Sequence, residues 1–185
     1  MVANKNMEYP DQELFDYVME ELKKKHITPL TIGGAVYEME HEYFPNKSIT
    51  DFGQGFYQLF KKREVLNIVA TGLMIDNLAT EKKLPEPMQT IIENDLGQFG
   101  VDELLAIGVA NLYGSLGVTN YGYGDKMKIG YAKQLDNDGD KINTFSDDLF
   151  TALASGMVGR LGHGRPLDIK NKKQEDYMED ARQNN

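Results

Sequence analysis

The stretch REVLNIVATGLMIDNLA, Arg63 to Ala79, limits the fold more than any other part of the chain. Val65, Leu66, Ile68, Val69, Ala70, Leu73, Met74, Ile75 and Leu78 spread over almost the whole circumference of a helix. A helix that is apolar on all sides belongs inside a bundle rather than on its surface. Two acids flank the apolar middle. At about 100° per residue, Asp76 shares a face with Val65, Val69 and Leu73, and Glu64 shares one with Ile68, Thr71 and Ile75. Both are expected to point into packed surroundings, where a carboxylate must be paired, protonated or metal-bound.

The remaining pattern is also helical, with no convincing alternating strand. A first helix is expected from Pro10 and Asp11, carrying Leu14, Phe15, Val18 and Leu22 on one stripe and ending in Lys23, Lys24 and Lys25. A second runs from about Pro29 to Phe44, stopped by Pro45, and a third is capped by Ser48 with Asp51 in its first turn. Pro85 and Pro87 mark another start, and a mostly apolar helix begins near Val101, its end loosened by Gly114, Gly117, Gly122 and Gly124. A last helix covers Phe145 to about Leu161, with Ala152, Ser155 and Gly159 as a small-residue side suited to close contact. The expected fold is all-α: a single-domain helical bundle with an apolar central helix surrounded by others. Residues 1–10 are expected to be a flexible N-terminus, 11–163 the helical domain, and 164–185 a charged tail.

Composition narrows the function. A net charge of −9 argues against nucleic acid as partner and against capture by anionic lipid, and it suits hard divalent cations. The absence of cysteine excludes disulfides, thiolate metal sites and a cysteine nucleophile. The N-terminus has no apolar signal region, and no apolar run reaches the roughly 18 residues of a membrane span. The expected location is cytoplasmic, or peripheral to a membrane.

LDNDGDKINTFSDDLF, Leu135 to Phe150, holds five aspartates between Asp136 and Asp148. Counted as a calcium loop from Asp136, it has Lys141 where the glycine belongs and Asp147 where the glutamate belongs. An acidic surface turn is therefore the reading of Asp136, Asp138 and Asp140. Asp147 and Asp148 begin the last helix, as Asp102 and Glu103 begin an earlier one. First-turn acids are ordinary dipole chemistry, and Thr144 is a candidate cap. However, Asp95, Asp102, Glu103, Asp125, Asp147 and Asp148 all fall where apolar helices begin or end, and Glu64 and Asp76 flank another. Carboxylates gathered in a bundle repel each other unless cations hold them, and helical bundles build two-metal sites from such sets. Two metals suit phosphoester hydrolysis. Lys126, Lys128 and Arg160 are candidates for phosphate contact. His26, His41 and His163 lack ligand spacing, and neither a GK[ST] loop nor a GxGxxG fingerprint is present.

The segments KREVLNIVATGLMIDNLA, IIENDLGQFGVDELLA, NLYGSLGVTNYGYGDKMKIG and NTFSDDLFTALASGMVGRLGH, taken in order, resemble the phosphatidylglycerophosphatase A family. The likeness runs from about Ile27 to His163 and is greatest to a soluble Gram-positive branch, the low-temperature-requirement C-like proteins. The membrane-embedded branch carries HD…DE, D…KP and DD segments. Asn94–Asp95 with Asp102–Glu103 corresponds to the first, with asparagine in place of histidine. Asp125 with Lys128 and Ile129 corresponds to the second, with isoleucine in place of proline. Asp147–Asp148 is the third. The resemblance implies a Mg²⁺-dependent phosphatase acting on phosphatidylglycerophosphate, an all-helical fold, a binuclear metal site and a homotetramer. On this reading Asp102, Glu103, Asp125, Asp147 and Asp148 hold the metals, with Glu64 and Asp76 as further members. Asp95, Asp102 and Asp148 are the catalytic candidates, and Lys126 and Lys128 steady the phosphate of the substrate, a lipid head group or a soluble phosphomonoester. The alternative is a non-catalytic metal-binding or regulatory protein that keeps the fold.

Overall fold

Helix starts follow local chemistry in the computed structural model, which describes residues 7–139 and 141–163. The first six residues, Asp140 and 164–185 lie outside the described residues, and with them most of the expected flexible N-terminus, the third aspartate of the acidic turn and the expected charged tail. Helix α1 (Asp11–Lys24) begins after Pro10 with Asp11 and Glu13 in its first turn. Helices α2 (Pro29–Glu40) and α3 (Ile49–Gly53) each begin with a reciprocal capping box, Thr28 with Thr31 and Ser48 with Asp51. Then follow α4 (Phe56–Leu59), α5 (Arg63–Thr80), α6 (Met88–Glu93), α7 (Val101–Asn111), α8 (Gly114–Met127), α9 (Ala132–Asp136) and α10 (Ser146–His163). Among the described residues there is no strand, so the chain is all-α.

A central apolar helix is present, and it is α10. Every residue from Ser146 to Gly159 is buried. Helix α10 packs against α8, α7, α2 and α9 and touches α4 and α5. Helix α5 lies beside it, with one flank open at Thr71 and Met74. The small-residue side of α10 works as its composition suggests: a Cβ on Gly159 would lie 2.7 Å from the Tyr113 carbonyl oxygen. Only glycine allows the start of α8 to come that close.

Three elements differ from the sequence reading. Helix α2 ends at Glu40, short of Phe44. The glycine-rich stretch after Asn111 is itself a helix, α8, because its apolar and small residues pack against α7 and α10 and outweigh glycine's poor propensity. Lys126 therefore sits in a helical last turn rather than in a loop. The short α9 takes in Asp136 as its last residue, so the expected acidic turn begins only after it; Asp136 and Asp138 are both exposed.

Candidate functional site

The start of α10 is fixed from below by a buried carboxylate. Asp76 of α5 is fully buried. It accepts the Phe145 N–H at 3.0 Å, the Ser146 N–H at 2.9 Å and the Ser146 hydroxyl at 2.5 Å. Lys25 is also buried, with its ammonium 3.6 Å from Asp76 and donating to Asn143 Oδ1 at 2.7 Å and to the Ile142 carbonyl at 3.1 Å. Burial pushes the Asp76 carboxyl up and the Lys25 ammonium down, each opposed by the other's charge. Asp76 thus caps α10 and is not a member of the acidic cleft. Thr144, the expected cap, donates instead to the Ile92 carbonyl at 2.6 Å, which ties α10 to the end of α6.

With its start so held, α10 presents Asp147 and Asp148 to a cleft of about 310 Å³. Helix α7 brings Asp102 and Glu103 to the same cleft, its entry turned by Gly100 at φ +58°. Helix α8 delivers Asp125 and Lys126 from its last turn, and Lys128 just beyond it. Asp95, exposed, joins the lining from the loop after α6. Asp95 and Lys128 both adopt left-handed backbone, φ 44° and 47°, which non-glycine residues take only when their surroundings fix them. A larger depression of about 510 Å³ adjoins the cleft and shares Asp95, Thr144 and Asp147 with it.

Lys128 is the organising cation. Its ammonium donates to Asp147 at 2.8 Å and to Asp125 at 3.0 Å, and lies 3.9 Å from Asp148. Burial would lower its pKa, but the Asp147 and Asp125 carboxylates hold it well above the ordinary lysine range. One ammonium does not neutralise the set. Asp147 is pushed up to about 6, chiefly by burial and against the pull of Lys128. Asp148 is pushed up to about 9, by burial first and then by the Asp147 and Asp125 charges. Glu103 is raised by burial and by Asp102. Asp95 is raised by desolvation and by the Asp102 charge.

Among the described residues, no three His, Asp or Glu side chains are gathered so as to hold a metal ion as they stand; Lys128 fills the space between the carboxylates. The donor chemistry fits a hard divalent cation all the same. It is all oxygen, with six carboxyl groups against two lysines in the lining, and Asp147 and Asp148 among them are raised first by burial.

Eight of the eleven candidate residues therefore come together in one cleft: Asp95, Asp102, Glu103, Asp125, Lys126, Lys128, Asp147 and Asp148. Glu64 does not. It is exposed in the first turn of α5, beside a separate surface depression shared with Asp11 and Arg63, so the expectation of packed surroundings is corrected. Its neighbours Val65 and Leu66 are buried, but the Glu64 side chain itself faces solvent. Arg160 is exposed and lies twelve residues past Asp148 on α10, roughly 18 Å along the axis. The sequence reading missed Thr144 and Gly97 in the lining and Tyr121 beneath it. Recognising α8 as a helix would have found Tyr121, one turn before Asp125.

Comparison with known proteins bears on the family and the fold. Residues 22–163 match the family description of phosphatidylglycerophosphatase A. The chain is 36% identical over 167 residues to YpjQ of Bacillus subtilis, covering 90% of this chain and 94% of that protein. The YpjQ crystal structure superposes with a TM-score of 0.79 at 38% identity, covering 84% of this chain and 97% of that one. The low temperature requirement C protein of Listeria monocytogenes superposes with a TM-score of 0.78 at 36% identity, covering 83% and 98%.

Proposed function

The chain belongs to the phosphatidylglycerophosphatase A family, and on that premise we propose that it is a metal-dependent phosphomonoesterase working in the acidic cleft. The observation that carries the reading is the convergence of Asp102 and Glu103, Asp125, and Asp147 and Asp148 from three separate helices onto one cleft. The substrate class is a phosphomonoester: phosphatidylglycerophosphate, as the family suggests, or a soluble one. A cleft of about 310 Å³ suits a phosphorylated head group rather than acyl chains.

The charge balance of the lining supports a cation. A phosphate dianion entering a cleft lined by six carboxylates meets repulsion that two lysines do not offset. Asp102, Glu103, Asp125, Asp147 and Asp148 would hold Mg²⁺, in a binuclear arrangement by analogy with other carboxylate-lined bundles. Bound there, the metal polarises the phosphoryl oxygen and lowers the pKa of a water. In the hydrolysis the water oxygen bonds to phosphorus, the ester P–O bond breaks, and the departing alkoxide takes a proton. Asp95, raised and at the rim, would accept the proton of the attacking water and return it to the departing alkoxide. Lys126, exposed at the same rim, would meet the phosphoryl oxygens, and Lys128 would be a second phosphate contact. A homotetramer remains part of this proposal.

A second reading has its own observation. Asn94, where the membrane branch has histidine, turns back to donate to the Thr90 carbonyl at 2.7 Å and does not line the cleft. That favours a metal-binding protein without catalysis. Phosphate release with Mg²⁺ from phosphatidylglycerophosphate and from soluble phosphomonoesters separates the two. The catalytic reading expects turnover that falls at least about 100-fold in Asp102→Asn and Asp148→Asn, with the fold retained. Turnover on no substrate, beside Mg²⁺-dependent stabilisation, selects the second reading. Full activity in both variants removes the site assignment.

A further inference from the structure

We propose that Tyr121 is a positioning residue of the acid cluster, its buried hydroxyl donating to the Asp148 carboxylate when that carboxylate engages a divalent cation. The inference rests on the cation reading above and adds a residue to it. Tyr121 lies on α8 one turn before Asp125 and is only 4% exposed. Its hydroxyl is completely covered, and among the described residues it is the buried side-chain polar atom that no protein group accepts from or donates to. The contrast is Tyr113, at the other end of the α8 region, whose buried hydroxyl donates to the Leu59 carbonyl at 2.9 Å. That is the usual condition of a buried tyrosine.

A phenylalanine would fill the same space without a stranded polar atom, so packing gives no reason for the oxygen. The surroundings supply one. The charges acting on this hydroxyl are those of Asp148, then Asp125, Glu103 and Asp147, which are the carboxylates of the cleft. Tyr121 lies outside the cleft lining, so it acts from behind these side chains rather than on a ligand directly. Burial and the same carboxylates raise its pKa, so it stays an O–H donor and is neither base nor nucleophile. A donor behind a ligating carboxylate fixes that carboxylate's orientation, and the loss of such a donor typically weakens metal binding about 10- to 100-fold.

The test is a Mg²⁺ titration of the full chain, of Tyr121→Phe, of Asp148→Asn and of the double variant, read by calorimetry and by melting temperature. Tyr121→Phe is expected to melt no lower than the unmutated chain without Mg²⁺, and to bind Mg²⁺ about 10- to 100-fold more weakly. The double variant is expected to bind no more weakly than Asp148→Asn alone, because Tyr121 acts through Asp148. Unchanged Mg²⁺ affinity in Tyr121→Phe overturns the proposal, and so does a loss that simply adds to that of Asp148→Asn. If the unmutated chain binds no Mg²⁺, the cation reading fails first and the Tyr121 role goes with it.

Discussion

At the scale of single residues, Lys128 and the two aspartates opposite it decide how the cleft behaves. Lys128 is held in left-handed backbone with its ammonium on Asp147 and Asp125. Replacing it by methionine keeps the stem and removes the charge. Because the lysine is about one-third exposed, the expected cost is roughly 1–3 kcal/mol, below that of breaking a fully buried pair. Lys128→Met should therefore lower the melting temperature without Mg²⁺ and enlarge the stabilisation that Mg²⁺ gives. Equal Mg²⁺ responses in the two proteins would contradict this. The raised carboxyls give a pH signature as well. An acid whose folded pKa lies above its unfolded value contributes stability at low pH and loses it as pH rises through the folded pKa. With Asp147 at about 6 and Asp148 at about 9, the chain without Mg²⁺ should lose stability between about pH 5 and pH 9. Saturating Mg²⁺ should flatten that slope. Melting curves across the range check both. These acids were legible in the sequence because acids at the ends of apolar helices have few places to go. The roles of Asp76 and Glu64 were not legible: a helical face says where a side chain points, and not whether backbone N–H groups or solvent will meet it.

At the scale of elements, the cleft depends on how α10 begins. Its first N–H groups end on Asp76, from a helix about 70 residues earlier in the chain, and Lys25 and Asn143 brace the segment just before it. Asp76→Ala leaves Lys25 buried beside unsatisfied N–H groups. It should cost about 3–5 kcal/mol in urea unfolding and displace Asp147 and Asp148 with the helix start. A change under about 1 kcal/mol would show that α10 is positioned by other means. Nothing local announces this cap, since Thr144 looks the better candidate and its hydroxyl is used on Ile92 instead. Helix α8 was hidden for a similar reason. Gly114, Gly117, Gly122 and Gly124 weaken the local helical signal, and contact with α7 and α10 restores it.

At the scale of the whole molecule, the all-α bundle could be read from periodicity alone, but the identity of its centre could not. Both α5 and α10 are rich in apolar residues, and only packing shows that α10 is covered along its first fourteen residues while α5 keeps an open flank. Among the described residues no helix is long and apolar enough to cross a membrane. The central claim is that the starts of α7 and α10 and the end of α8 together hold a divalent cation. The most direct measurement is anomalous diffraction from crystals grown with Mn²⁺ in place of Mg²⁺. Anomalous density is expected in the cleft within bonding distance of carboxylates from both Asp102–Glu103 and Asp147–Asp148, with the Lys128 ammonium withdrawn from between them. A cleft without such density at saturating Mn²⁺, with Lys128 still bridging Asp125 and Asp147, would contradict it.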